Sequence, residues 1–484
     1  MKTRHDCFDR RSGLKQLTLG MGEGAVKEAL ATIFQEVQHA GGRALFVGGC
    51  VRDALLGLAA KDLDIEVYGV SPESLRALLE THFKVEVVGE AFGVMKLHGL
   101  PVDISLPRRE SKAGRGHKAF DIFSDPSMTP EQAAVRRDFT INAIAYDPVT
   151  GDLIDPFLGV QDLEARTLRH VGGQFSEDPL RVLRGLQLAG RFSLDVHPDT
   201  IRLSRQLVDE YETLPIERIW AEWYKWAGQS KEPSRGLRFL EHCGWRERYP
   251  ELDALTGCPQ DPRFHPEGNV WEHTLLVADQ SARIAERDQL SLEDRAVLVF
   301  AGVCHDLGKP ETTEILPDRI RSRGHSGKTE TYERFLRRIG MPRALADRVI
   351  ALCHYHLTHI DFQGSTRHVR RVAVALGEAG ESLDMLARLV EADHSGRPPL
   401  PQEMPQNMRA MLTVAQGLSI QNQAPKPLLM GRHLLAMKVP PGPMMGKLLR
   451  AAFDAQLEGE FETLDGAREW IQQYDEWSSE GCSM

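Results

Sequence analysis

Two carboxylates stand two residues apart in Lys61-Asp62-Leu63-Asp64-Ile65. On a strand, alternate side chains share a face, so Asp62 and Asp64 converge while Leu63 turns toward a core. Acids this close repel one another unless a cation lies between them. Mg2+ takes few carboxylates together with substrate phosphates, which suits nucleotidyl transfer. Asp103, in Val102-Asp103-Ile104, lies on a later extended segment and could complete such a site. Upstream, Gly48-Gly49 precedes Val51-Arg52-Asp53 at the start of a helix. Paired glycines allow close backbone approach, a helix N-terminus offers N–H groups to phosphate, and Arg52 could add a charge-assisted contact. Alone, a Gly-Gly turn is more often structural and an Asp-x-Asp more often a solvated strand end; the combination reverses both readings.

A third group follows in Ser176-Glu177-Asp178-Pro179, which reads as a helix start with Ser176 as cap and proline in the first turn. Asp178, Arg181 and Arg184 then recur every three residues and share one helix face. Taken by itself, such a stripe is usually a surface ion-pair array. Asp178 can only accept and Arg181 can only donate, so together they complement the amino donor and ring-nitrogen acceptor of cytosine and adenine. Uracil and guanine reverse that order and would face like with like. Further along come His273, the pair His305-Asp306 in Cys-His-Asp-Leu-Gly-Lys, and Asp393 in Ala-Asp-His-Ser, with His325, His354 and His356 as additional candidates.

The elements that must hold these residues can be read from periodicity. Residues 25–40 form an amphipathic helix, 44–47 an apolar strand, 62–68 a second strand, and 85–97 two more extended segments. A mixed α/β head ending near residue 160 accounts for them. Beyond Gly159, helical spacing of apolar residues governs 180–188, 216–226 and most of 270–395. Proline-rich stretches at 397–405 and 424–427 mark linkers or sharp turns, and no internal repeat is present. Residues 1–25 read as a poorly ordered extension.

Composition narrows the classes. At 484 residues the chain exceeds one core, and two to four domains are expected. A hydrophobic share of 42% with 26% charged residues is that of a globular protein, with no apolar run long enough to span a bilayer. The N-terminus lacks the apolar stretch of a secretory signal. Seven cysteines are scattered without a Cys-x-x-Cys pair, so neither a zinc ribbon nor a disulfide framework is indicated and a reducing cytoplasm is the expected setting. The net charge of −10 argues against a protein that coats nucleic acid, though a local basic groove would suffice for an RNA substrate.

The head motifs resemble those of the nucleotidyltransferase superfamily that includes CCA-adding enzymes and bacterial poly(A) polymerases. The resemblance continues through residues 108–112, similar to that family's flexible loop, and through 136–143, 154–157, 168–171 and 177–184. It implies Asp62 and Asp64 as ligands of Mg2+, and Gly49, Arg52, Arg137, Asp178, Arg181 and Arg184 as nucleotide contacts. It further implies CTP and ATP as substrates and tRNA as partner, with a protein side-chain template selecting the base. One departure is Gln187, where the family often has a further arginine. The second constellation resembles HD phosphohydrolases. That likeness implies His273, His305, Asp306 and Asp393 around a divalent transition metal, His325 and His354 for a second ion, and phosphatase or cyclic-phosphodiesterase chemistry.

The expected organisation is thus an extension (1–25), an α/β nucleotidyltransferase head built on a small mixed sheet (26–160), an all-α neck and body (161–260), an all-α HD domain (261–400) and a helical tail (401–484). Two alternatives stay open: a CC-adding, A-adding or poly(A)-polymerising relative, and an RNA-end phosphohydrolase whose head is not catalytic. Oligomeric state is not legible.

Overall fold

The computed structural model describes residues 24–60, 62–88, 94–112 and 120–474, together with Leu14 and Leu17. The expected N-terminal extension lies almost wholly outside the described residues. Two compact units emerge, one reaching Trp226 and including Arg235–Arg248, the other comprising Ala227–Ser234 and the chain from Tyr249 onward.

In the first unit, helix α1 (Ala25–His39) buries Ala29, Leu30, Ile33 and Val37, the i, i+4 stripe read from sequence, and leads into strand β1 (Arg43–Val47). Helix α2 (Gly49–Leu55) follows at once. Then come β2 (Leu63–Tyr68), β3 (Val85–Val88), β4 (Val94–Leu97) and β5 (Val102–Ser105). With β8 (Ala145–Tyr146) and β9 (Leu153–Ile154), they build a sheet of order β3-β4-β5-β2-β1-β8-β9. Strands β2 and β5 pair in parallel and the other neighbours are antiparallel, which makes the sheet mixed as expected. Period-two burial sets its faces: Leu63, Ile65, Val67, Val102 and Ile104 are fully buried, so Asp64, Glu66 and Asp103 project from the opposite face.

Residues 108–112, read above as a flexible loop, instead form β6 (Arg108–Lys112), paired antiparallel with β7 (Phe120–Ser124) in a separate ladder. Alternating backbone hydrogen bonds make this segment a ribbon.

Helix α3 (Gly159–Glu164) packs against the short 3-10 turn Thr140–Asn142. The contact is close: a Cβ on Gly159 would lie 2.1 Å from the Thr140 carbonyl oxygen. Helix α4 (Leu180–Phe192) and helix α5 (Ile216–Gln229) follow, and on α5 Trp223 and Trp226 meet edge to face at 5.1 Å, both fully buried.

The second unit is helical. Its core helices are α6 (Val270–Arg287), α7 (Leu292–Cys304), α8 (Arg343–Tyr355) and α9 (Leu383–Ser395). Side-chain oxygens of Asn269, Ser291 and Ser382 cap α6, α7 and α9 by accepting from backbone N–H groups of the first turn. The tail helices Pro443–Glu458 and Leu464–Gln473 bury their own small core around Leu448, Ala452 and Ile471. Among the described residues, no helix is long and apolar enough to cross a membrane.

Because the Gly159 clash is with backbone, Gly159→Ala is expected to destabilise the first unit by about 1–3 kcal/mol, measured as a lowered denaturation midpoint. An unchanged midpoint would show that α3 can shift without cost.

Candidate functional site

Four acids line one cavity of about 480 Å3: Asp62, just before β2, Asp64 on it, Asp103 on β5 and Glu86 on β3. Asp64 and Asp103 are register partners across the parallel pair, so their side chains stand side by side. Burial raises the Asp64 pKa, and Asp103, Asp62 and Glu66 raise it further, while Arg137 opposes them. A carboxylate destabilised by its neighbours in this way is the donor set that a hard divalent cation fits.

Gly48 turns the chain from β1 into α2 at φ 72°, a conformation suited to glycine, and a Cβ there would lie 3.1 Å from Arg137 Nη1 and 3.8 Å from Asp64 Oδ2. Arg137 pairs with Glu66 at 3.5 Å. Glu66 escaped the sequence reading, although it continues the same two-residue alternation from Asp62 and Asp64.

Arg52 takes a different place from the one expected. It is 5% exposed. Its Nε and Nη2 donate to Asp53 Oδ1 at 2.8 and 2.6 Å, its Nη1 donates to Asn142 Oδ1 at 2.5 Å, and its guanidinium lies 4.4 Å from the Phe192 ring centroid. Arg52 therefore braces the cradle from within instead of offering its fork to phosphate.

Asn142 in turn donates to Asp138 Oδ1 at 3.0 Å, and Arg184 Nε donates to Asp138 Oδ2 at 2.6 Å. The backbone N–H of Phe139 adds a third bond to Asp138 at 2.8 Å. Burial would raise the Asp138 pKa, but Arg184, Asn142 and Phe139 outweigh it and hold the group at about 2. A continuous run, Arg52–Asn142–Asp138–Arg184, thus ties helix α2 to helix α4.

The start of α4 corrects the sequence reading. Residues Gly173–Glu177 form a 3-10 turn, Asp178 is extended, and the α-helix begins at Leu180. The Ser176 hydroxyl donates back to the Gly173 carbonyl, the N-cap is Pro179, and Asp178 just before it accepts from the Leu180 N–H at 3.1 Å, so Ser176 does not cap the helix. Asp178 Oδ2 also accepts from Arg218 at 2.9 Å, a residue with no prior sequence signal. Arg181 donates to the carbonyls of Gln174 and Arg136 at 2.6 and 2.8 Å, which fixes its guanidinium plane. Gln187 is 6% exposed, and its amide nitrogen finds no hydrogen-bond partner among the described residues.

In the second unit, His273 on α6, His305 and Asp306 at the end of α7, His325 in a 3-10 turn, His356 at the end of α8 and Asp393 on α9 come together. They form two adjoining groups, His273–His305–Asp393 and Asp306–His325–His356, with His305 Nε2 3.2 Å from Asp306 Oδ2 between them. His273 Nε2 lies 3.1 Å from Asp393 Oδ1 and 3.3 Å from His305 Nε2, while His325 Nε2 lies 3.1 Å from Asp306 Oδ1 and 3.4 Å from His356 Nε2. The opposite ring nitrogens are anchored. Nδ1 of His305, His325 and His356 meets the carbonyls of Gly302, Ser322 and Cys353 at 2.8, 2.6 and 2.6 Å. Carbonyls only accept, so Nδ1 carries the proton and the Nε2 lone pairs face the centre, as metal ligands require.

His273 Nδ1 sits 2.8 Å from Glu267 Oε1, which also lies 2.9 Å from His265 Nδ1. Burial lowers the His273 pKa, but Asp393 and Glu267 overcome it and push it up to about 9; a site that favours positive charge at Nε2 favours a cation there equally. Burial, then His305 and His325, drives His356 down to about 3, which leaves its ring neutral. A cavity of about 580 Å3 opens onto Asp306, His325, His356 and Asp393, with Lys309 and Arg397 on its walls.

His354 does not belong to this centre. It is exposed, its ring against Tyr355 at 4.7 Å, and His356 stands in the place expected for it. Helical residues two apart face different sides, so only one of the two could reach inward. Glu267 and His265 were missed by the sequence reading.

The fold and these two centres define a nucleotidyltransferase head joined to an HD-type domain. Residues 44–169 match the family model described as the Poly A polymerase head domain, and residues 270–392 match the HD domain model. The multifunctional CCA protein of Laribacter hongkongensis is 40% identical over 362 residues, covering 73% of this chain and 84% of that protein. The multifunctional CCA protein of Aliivibrio salmonicida is 34% identical over 389 residues, covering 77% and 91%. The chain belongs to the multifunctional CCA protein family. Its fold is shared with the Bacillus stearothermophilus CCA-adding enzyme solved in complex with CTP, at a TM-score of 0.60 and 23% identity over 93% of this chain and 98% of that one. It is shared as well with the Thermotoga maritima CCA-adding enzyme complexed with tRNA, at a TM-score of 0.54 and 19% identity over 94% and 97%. Nucleotidyltransferase and HD domains are typically metal-dependent.

Two outcomes are expected. With a folded pKa of about 2 against an ordinary 3.8, ionised Asp138 stabilises the fold above about pH 4, and that contribution is lost as pH falls toward 2. Asp138→Asn should therefore cost roughly 2 kcal/mol near neutrality and flatten the acid limb of the stability curve in denaturant titrations. Glu267→Gln should weaken metal binding at the histidine centre by about 10- to 100-fold, read by competition with a chromophoric chelator; an unaltered affinity would remove Glu267 from the site.

Proposed function

We propose that this protein adds C and A nucleotides, taken from CTP and ATP, to the 3′ end of tRNA without a nucleic-acid template, and that its HD centre hydrolyses phosphate esters. The observation that carries the reading is the bond from Arg181 to the Arg136 carbonyl, one residue before Arg137. Arg137 is the cation that opposes the acids around Asp64 and pairs with Glu66, so the helix bearing Arg181 is tied to the chain beside the carboxylate cavity.

Asp178 offers an acceptor and Arg181 a donor to the base edge, the order that cytosine and adenine complement and that uracil and guanine oppose. Fixing both groups beforehand, Asp178 by the Leu180 N–H and Arg218, Arg181 by two carbonyls, lets the mismatch cost appear in full. Gly49 and Arg137 border the path of the triphosphate, and Arg184 extends the positive face of α4. Asp62 and Asp64, with Asp103 beside them, would hold Mg2+, which would supply Lewis acidity to the RNA 3′-hydroxyl and the departing pyrophosphate. Positioning and fixed charge supply the remainder.

In the second half, His273, His305, Asp306 and Asp393 would hold one divalent transition metal, and His325 with His356 would supply ligands for a second. Such ions polarise water and the phosphate ester. Lys309 and Arg397 line the same cavity and complement an anionic substrate, which fits phosphatase or 2′,3′-cyclic phosphodiesterase action on RNA ends or small nucleotides. Work on tRNA by a chain with this cysteine usage is consistent with a cytoplasmic setting.

The test uses tRNAs ending before CCA, after C and after CC, each supplied with a single NTP and Mg2+. Incorporation of both C and A is expected, abolished in Asp64→Asn, with UTP and GTP admitted in Asp178→Ala. Addition of C alone or A alone would narrow the activity, and no addition would leave the HD centre as the enzyme. Hydrolysis of a 2′,3′-cyclic nucleotide should vanish in His305→Ala while incorporation persists; failure of the unaltered protein to hydrolyse it would retire that half of the proposal.

A further inference from the structure

Four register partners cross the sheet at the carboxylate cavity in a single row: Asp64 on β2, Asp103 on β5, Lys96 on β4 and Glu86 on β3. Neighbouring strands stand about 4.8 Å apart, and residues directly opposite project to the same face. Lys96 thus stands between two acids, its Nζ 3.0 Å from Asp103 Oδ2, and it lines the same cavity as Asp62 and Asp64. Its side chain is 49% exposed, so the ammonium rides a flexible stem that can swing.

We propose that Lys96 is a tethered competitor for the catalytic cation: its ammonium occupies Asp103 and thereby sets the divalent-ion concentration at which the Asp62–Asp64 cavity fills. The inference rests on the polymerase reading of that cavity. A hard cation draws on every carboxylate within reach, and an ammonium on Asp103 both spends that charge and repels an incoming ion. Glu86, on the far side of Lys96 in the row, supplies a second anchor to which the ammonium transfers when a cation claims Asp103. The lysine is therefore a positioning residue that acts through Asp103.

The experiment titrates the full-length protein with Mn2+ and follows free Mn2+ by electron paramagnetic resonance. The component lost in Asp64→Asn reports the head, and the component lost in His305→Ala reports the HD centre. Lys96→Met should tighten the head component by about two- to fivefold, the worth of an exposed ion pair, while Lys96→Arg matches the unaltered protein. The Mg2+ concentration for half-maximal incorporation should fall by the same factor. An unchanged or weakened head affinity in Lys96→Met overturns the proposal, as does a raised KM for tRNA or CTP without any change in Mn2+ binding. If Asp64→Asn removes no component at all, the cation reading of the cavity falls first and the proposal with it.

Discussion

Asp138 lies almost out of reach of water, yet it accepts from Asn142, from Arg184 and from its neighbour's backbone N–H. Taking a carboxylate out of water is expensive, and removing one partner of such a pair costs more than the pair contributes. The chain must therefore bring the turn at 140–142 and helix α4 together before this charge can be buried at all. Gly159 is drawn close to Thr140, Phe139 meets Phe175 edge to face at 5.5 Å, and Arg52 is locked inward against Asn142. The placement of the turn at 140–142 against helix α4 follows from satisfying one anion.

The histidine centre obeys a related rule by other means. Each inward Nε2 is aimed by a backbone carbonyl or a carboxylate on the opposite nitrogen, and three of those carbonyls lie three residues before their histidine, within the same turn. Secondary structure thus sets the tautomer locally, and the tertiary fold has only to bring the turns together.

Much of this was legible in the residues themselves. The alternation in 62–68 specified which acids share a face because a strand repeats every two residues, and the structure keeps that face. The order of His273, His305-Asp306 and Asp393 located the second centre because those ligand types seldom recur by chance. Other features were hidden for physical reasons. Ser176, Asp178 and Pro179 all favour helix starts, so local preference could not separate a 3-10 turn from the α-helix that begins two residues later. Arg52 read as a phosphate contact because its type suits one, while its burial depends on Asp53, Asn142 and Phe192, which only the fold assembles. His354 and His356 were indistinguishable until the end of α8 was set.

The parallel pairing of β2 with β5 bears on how such a site can change over generations. Parallel neighbours need a crossover, and here the excursion between Tyr68 and Val102 includes the β3–β4 pair at the rim of the sheet. The two central acids are held by inner ladders, whereas the lysine beside them arrives on this outlying ribbon. A change in the ribbon would move Lys96 relative to Asp103 while the two acids stay on their inner ladders.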